Sequence, residues 1–495
     1  MNLFGILMFG ISAALAMGCY RYLPQPSGSL LAVLSAGFGI LVLVMPGHRE
    51  GFVARLKGLT WKRSQFCRGW LITGDTGSGK TSSGVNQLAH QVFRNEPRWG
   101  GLLIDEKGVY WEILKAMAEH YERTPDLIHV QIRPDDSGPD WVPAHRLNLT
   151  GNRTIPFNTY AKFVVDTATS LGQGGDKGFF KSQAQTHIAH ALELLYETRR
   201  PVTIAGAYEL LSDNESVADA VQTLSELLPM PRRTALIEHF GNRFLAQPPE
   251  QLGGVRETIG NYLQYFLTPE VAEVFCSPAS SFDISDVDAG KIVCVTMPQK
   301  FQTERRYVNT FLKLLFYNHA LRRFDKARDE RAHDNLLILW ADEAQRFMTA
   351  SEDGTSDYNV VDVIREAGAT IIAAAQSTTS LVPPLGHDKA KVLTLNLRNR
   401  MIFRAADEQD AVQSADFLGK KRLIKRSWGY SAGKRNVNYS ETEEHKIKPH
   451  LLRNLRDHEC VLVHCEGGFR RVTLPPVEPD GSVAKWFSWW RRLLP

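Results

Sequence analysis

Residues 70–82, Trp-Leu-Ile-Thr-Gly-Asp-Thr-Gly-Ser-Gly-Lys-Thr-Ser, constrain this chain more than any other stretch. Gly74, Gly79, Lys80 and Thr81 satisfy G-x-x-x-x-G-K-[ST], with an apolar run before them and a helix-compatible segment after, the context this motif requires. Glycines let successive backbone N–H groups turn inward around an anion. The lysine adds a point charge between the terminal phosphates, and the hydroxyl can ligate Mg2+. The expected nucleotide-binding residues are therefore Gly74, Asp75, Thr76, Gly77, Ser78, Gly79, Lys80, Thr81 and Ser82. Such a cradle belongs to an α/β fold of the P-loop kind, and ATP with Mg2+ is its expected cofactor.

At 495 residues the chain has room for roughly two to four domains around that cradle. Its net charge of +4 is too small for a globally basic surface, so any nucleic-acid contact must be a local patch. The six cysteines form no C-x-x-C and have no pair of histidines at zinc spacing, and they read as reduced core thiols.

No charged side chain stands between Met1 and Tyr20, nor between Tyr22 and Gly47. Segments 3–20 and 28–46 are each long enough, as helices, to span about 27 Å of hydrocarbon. Arg49, Arg55, Lys57, Lys62, Arg63 and Arg68 follow, against Glu50 alone, so the flank is expected on the cytoplasmic side of a two-helix anchor over 1–48. A cleaved lipoprotein leader ending before Cys19 lacks the basic start it needs, and a hairpin buried in the core is the other alternative.

Two apolar runs close on an Asp-Glu pair, where a carboxylate can reach a metal and its neighbour can polarise water. One ends in Asp105-Glu106 and the other in Asp342-Glu343. The second run is longer and suits a central strand buried on both faces, which favours Asp342 as metal ligand and Glu343 as catalytic carboxylate. A further buried-strand pattern ends in Gln376, placed to offer an amide to phosphate or water. Arg365, eleven residues earlier, lies on an expected helix.

Between these runs, apolar residues recur at helical spacing: Ile188, Leu192 and Leu195; Val217, Val221, Leu224 and Leu228; Val255, Ile259, Leu263 and Phe266. The expected organisation is a nucleotide-binding domain in two parts, 49–158 and 289–478, around an all-α domain at 159–288. Beyond residue 400 a basic run, Gly419 to Arg426, continues through Trp428 and Tyr430 to Lys434-Arg435; it reads either as a single-strand-binding surface or as a solvated loop. The tail, 479–495, carries three tryptophans beside three cations and suits a membrane surface or another subunit.

Taken in order, the two spans, the cradle, the helical insertion, Asp342-Glu343 and the Arg365…Gln376 pair resemble the type IV secretion coupling proteins, the TraD/TraG-like ATPases of conjugation. Leu102–Gly108, Phe282–Lys291, Thr394–Arg400 and Lys448–Leu455 add to the likeness, which runs over most of 1–475. The resemblance implies a RecA/FtsK-like motor in an inner-membrane ring of six subunits. It implies that Lys80, Thr81, Asp342 and Glu343 form the hydrolytic site, that Gln376 senses the γ-phosphate, and that Arg365 is a finger given to a neighbour. Its cargo would be single-stranded DNA bound to a relaxase, passed to secretion-channel components. A double-stranded DNA translocase of the FtsK and HerA kind, or a receptor for protein effectors, are the alternative readings. The short loop between spans and the basic, tryptophan-rich end depart from the family pattern.

Overall fold

The computed structural model describes residues 51–490 apart from 173–177, 353 and 432–433, together with Met17. The expected membrane spans lie outside the described residues, Met17 aside, and among the described residues no helix is long and apolar enough to cross a membrane.

A small hairpin, β1 (Phe52–Leu56) and β2 (Leu59–Lys62), leads into β3 (Trp70–Thr73). The chain continues through a widened helical turn, Lys80–Val85, into α1 (Asn86–Asn95), then β4 (Gly100–Asp105), α2 (Tyr110–His120) and β5 (Leu127–Gln131). A helical stretch follows: α3 (Phe157–Ser170), α4 (Gly178–Glu197), α5 (Ile204–Ser212), α6 (Asn214–Ser225), α7 (Pro231–Glu238), α8 (Pro249–Leu263) and α9 (Pro269–Phe275). The chain then returns to the sheet with β6 (Ile292–Thr296), α10 (Gln302–Arg322), β7 (Leu337–Asp342), β8 (Ala369–Ala375), α11 (His387–Asn396) and β9 (Asn399–Ile402). Helix α12 (Glu408–Leu418) leads into a ribbon of β10 (Lys420–Ser431) and β11 (Lys434–His445); α13 (Pro449–Arg453), β12 (Glu459–Val463), β13 (Phe469–Thr473) and α14 (Lys485–Trp490) close the chain.

The nine-stranded sheet runs β13-β12-β9-β3-β8-β7-β4-β6-β5, parallel from β9 to β5, with β12 and β13 antiparallel at one edge. Its central strands are apolar on both faces because helices cover both. Side chains alternate between two cores. Leu337, Leu339, Ala341, Ile371 and Ala373 join a core that continues without a break into the helical stretch through Leu192, Val255 and Phe311. Ile338, Trp340, Ile372 and Ala374 face Trp61, Trp70 and Trp99 on the other side.

The helical spacing seen in the sequence falls on α4, α6 and α8, with Ile188, Val217 and Ile259 buried. Two residues of that spacing fall beyond these helices: α6 ends at Ser225 ahead of Pro229 and leaves Leu228 82% exposed, and Phe266 is buried on the short turn Gln264–Phe266 after α8.

Candidate functional site

Because β8 separates β3 from β7, three strand ends line up at the carboxyl edge of the sheet, where open α/β sheets bind ligands. Thr73 is level with Ala375, and Ala373 with Ala341. Gly74, Gln376 and Glu343 therefore leave the sheet side by side, with the outer strands two spacings or about 10 Å apart.

The cradle is held from behind. Gly74 N–H donates to Gln376 C=O (3.2 Å) and Asp75 N–H to Arg404 C=O (2.8 Å), and Ser78 returns two hydrogen bonds to Asp75 C=O. Gly77 and Gly79 have φ of +81° and +93°, the left-handed region that turns backbone N–H groups to one side. Ser78 and Lys80 are buried, Thr81 and Ser82 half-buried, and Thr76 and Gly77 exposed. Lys80 Nζ stands 3.7 Å from Glu343 Oε1. Gln376 Nε2 donates to Glu343 Oε2 at 3.4 Å and Gln345 Nε2 to the same oxygen at 2.6 Å. Glu343 itself has φ +51°, a conformation that costs a non-glycine residue on the order of 1 kcal/mol and gathers at functional sites.

Asp342 ends β7 directly opposite Asp105 at the end of β4. Burial, then Asp105 and Glu343, push its carboxyl up from 3.8 to about 6, against the pull of Lys80. Its Oδ1 is buried without a hydrogen-bond partner. A buried acceptor left over beside a second carboxylate, next to a hydroxyl-bearing phosphate cradle, fits a hard divalent cation that takes oxygen ligands.

The rival pair is engaged elsewhere. Asp105 accepts hydrogen bonds from the backbone N–H of Lys107 (2.9 Å), Val109 (2.8 Å) and Tyr110 (2.9 Å), fixing the loop that opens α2. Glu106 receives Arg306 Nε on both oxygens (2.9 and 3.1 Å) and Gln302 Nε2 (2.9 Å).

Arg365 does not join this group. It lies on a single helical turn, Ile364–Ala367, before β8 starts, whereas Gln376 follows β8's end. Seven strand residues put about 23 Å between them. It is exposed, 3.7 Å from Glu366, and borders a cavity of about 880 Å3 with Arg68, Arg398 and His464.

His458 gives no signal in the sequence. Its N–H donates to Ser78 C=O (2.9 Å), its Nδ1 shares a hydrogen bond with Ser83 Oγ (2.8 Å), and a Cβ on Gly79 would come within 2.5 Å of that nitrogen. Burial lowers its pKa, so the ring braces the cradle as a neutral imidazole. Trp486 and Phe487 of the tail pack on it at 5.3 and 5.5 Å between ring centres. Val477 N–H donates to Ser82 C=O and His90 Nε2 bonds with Glu478 C=O, so the end of the chain lies along the cradle's helix. The described cysteines are all buried, with burial raising Cys67 and Cys294 to about 12.

A model of the type IV secretion-system coupling protein DNA-binding domain matches residues 55–475. The chain belongs to this family of coupling proteins. Solved structures with the same fold include the unbound bacterial conjugative coupling protein TrwBΔN70, at TM-score 0.62 and 13% identity, covering 87% of this chain and 90% of that one. TrwB in complex with ADP and Mg2+ matches at TM-score 0.60 and 13% identity, over 87% of this chain and 92% of that chain. TrwB with a non-hydrolysable ATP analogue matches at TM-score 0.60 and 13% identity, over 87% and 91% of the respective chains. No curated protein sequence matches the coupling protein described here.

Proposed function

We propose that this coupling protein is an ATP-hydrolysing motor that recruits relaxase-bound single-stranded DNA and pumps it into a type IV secretion channel. One observation carries the reading: Lys80, on the turn after β3, and Gln376, just past β8, both reach the carboxylate of Glu343, just past β7, at the mouth of a glycine cradle. The complexes of TrwB with ADP and Mg2+ and with an ATP analogue support it, as does the DNA-binding description of the family.

In this reading the N–H groups of Gly77 and of Gly79 to Ser82 take the phosphates, and Lys80 exchanges the Glu343 carboxylate for phosphate oxygens. Thr81 and Asp342 would hold Mg2+, which when bound supplies positive charge to the transferring phosphoryl group. Glu343, released from Lys80 and still steadied by Gln345, orients a water and accepts its proton. Gln376 donates to the γ-phosphate or to that water. Arg365, on the far side of its own sheet, is supplied to a neighbour's cradle in a homo-hexamer, so hydrolysis waits for the neighbouring subunit to close. Residues 3–20 and 28–46 anchor the ring in the inner membrane with the bulk of the chain cytoplasmic.

The test is DNA-stimulated ATP hydrolysis and strand transfer by Lys80→Ala. Both are expected to vanish; retention of either at the wild-type level would overturn the motor. Mixing Arg365→Ala with Lys80→Ala protein should restore part of the activity if the arginine acts between subunits.

A further inference from the structure

The ribbon of β10 and β11 takes no part in the nucleotide site and forms a sheet of its own. Its charges are divided. Residues 424–440 contain Lys425, Arg426, Lys434 and Arg435 with three aromatic residues and no acid, whereas Glu441, Glu443 and Glu444 crowd the base. The acids are neutralised where they stand: Arg422 lies 3.5 Å from Glu441 and 3.7 Å from Glu443, and Lys425 2.6 Å from Glu444. With Lys425 spent on Glu444, the distal part keeps the positive excess of Arg426, Lys434 and Arg435.

The register sets Ile424 against Glu441, Arg426 against Tyr439 and Trp428 against Val437. Alternation puts these six on one face. There Ile424 is 75% exposed, Tyr439 62% and Trp428 50%. The Arg426 guanidinium lies over the Trp428 ring at 4.1 Å and 5.7 Å from the Tyr439 ring. A two-stranded ribbon is marginal on its own and gains little from rings that stay half exposed or more.

We propose that this face grips single-stranded DNA, with bases stacking on Trp428 and Tyr439 and Arg426 placed between rings and phosphates. The inference rests on the DNA-pumping reading and says where the strand is held. Charge and rings together select the occupant: one-signed excess draws a phosphate backbone, and unpaired bases offer faces to the rings that a stacked duplex hides. The position suits a motor, because β11 leads through α13 to His458, which bonds to Ser78 and Ser83 of the cradle.

The test uses full-length protein and fluorescence anisotropy with a labelled oligo-deoxythymidine strand and a duplex of equal length. The double variant W428A/Y439A should bind the strand roughly ten- to a hundredfold more weakly. Trp428→Phe, which keeps a stacking face, should stay within about threefold of wild type. As a second readout, an iododeoxyuridine-substituted strand should photocrosslink to wild-type protein at Trp428 or Tyr439. Wild-type affinity in the double variant, or crosslinks confined to other segments, would overturn the inference and leave the face to a protein partner. If wild-type protein bound no strand at all, the DNA-pumping reading would fall with it.

Discussion

Two neighbouring strands, β4 and β7, end in the same dipeptide, Asp105-Glu106 and Asp342-Glu343, with the aspartates paired in register. Position and residue type are shared, yet their surroundings differ completely. The β4 pair is consumed by three backbone N–H groups and by Arg306. The β7 pair keeps a buried oxygen without a partner on Asp342 and sets Glu343 between Lys80 and Gln376. Where a carboxylate's hydrogen bonds go therefore separates a loop brace from a pair with an acceptor left over, even when the sequence patterns match.

The largest break in this symmetry should appear in catalysis. Glu343→Gln is expected to lower kcat for ATP by about a hundred- to ten-thousandfold with little change in KM, whereas Glu106→Gln stays within about threefold, both read in steady-state hydrolysis assays.

Next is the pH dependence of the metal-free protein. Asp342 binds its proton more tightly folded than unfolded, because its carboxyl is raised from 3.8 to about 6. Stability should therefore fall as pH rises from 3.8 to about 6, by at most about 3 kcal/mol, and lie flat above. Thermal melts of Asp342→Asn should lack this slope and lie above wild type at neutral pH; an identical slope in the variant would contradict the assignment.

Asp105→Asn should act in the opposite direction, losing about 2 kcal/mol because an amide cannot satisfy the three N–H groups that the carboxylate accepts. A denaturant midpoint unchanged by this substitution would show that the loop does not need its brace. The smallest effect is backbone strain: Glu343→Gly relieves φ +51° and should gain roughly 1 kcal/mol while remaining inactive.

Much of this was legible in the sequence because it is written locally. The cradle is a contiguous motif, and the runs ending at Asp342 and Gln376 are apolar stretches whose ends mark the sheet's carboxyl edge. The choice between Asp105 and Asp342 was open to strand length, but the reason behind it, the capture of Asp105 by the Lys107–Tyr110 loop, depends on a turn geometry that composition does not encode. His458 was illegible for a different reason: it lies 375 residues from Ser83, and a lone histidine in a loop carries no periodic signal. The basic run after Gly419 forms one strand of an antiparallel ribbon rather than a loop, its partner being the segment Lys434–His445 that follows it. In the tail, Trp486 and Phe487 pack on His458 of the same chain, with Trp486 still 54% exposed.

The most direct measurement is titration of the full-length protein with a fluorescent ATP analogue, with and without Mg2+, in wild type, Asp342→Asn and Asp105→Asn. The account predicts that Asp342→Asn loses the Mg2+-dependent part of the affinity while folded Asp105→Asn keeps it. Full Mg2+-dependent binding by Asp342→Asn, with its loss in Asp105→Asn, would contradict it.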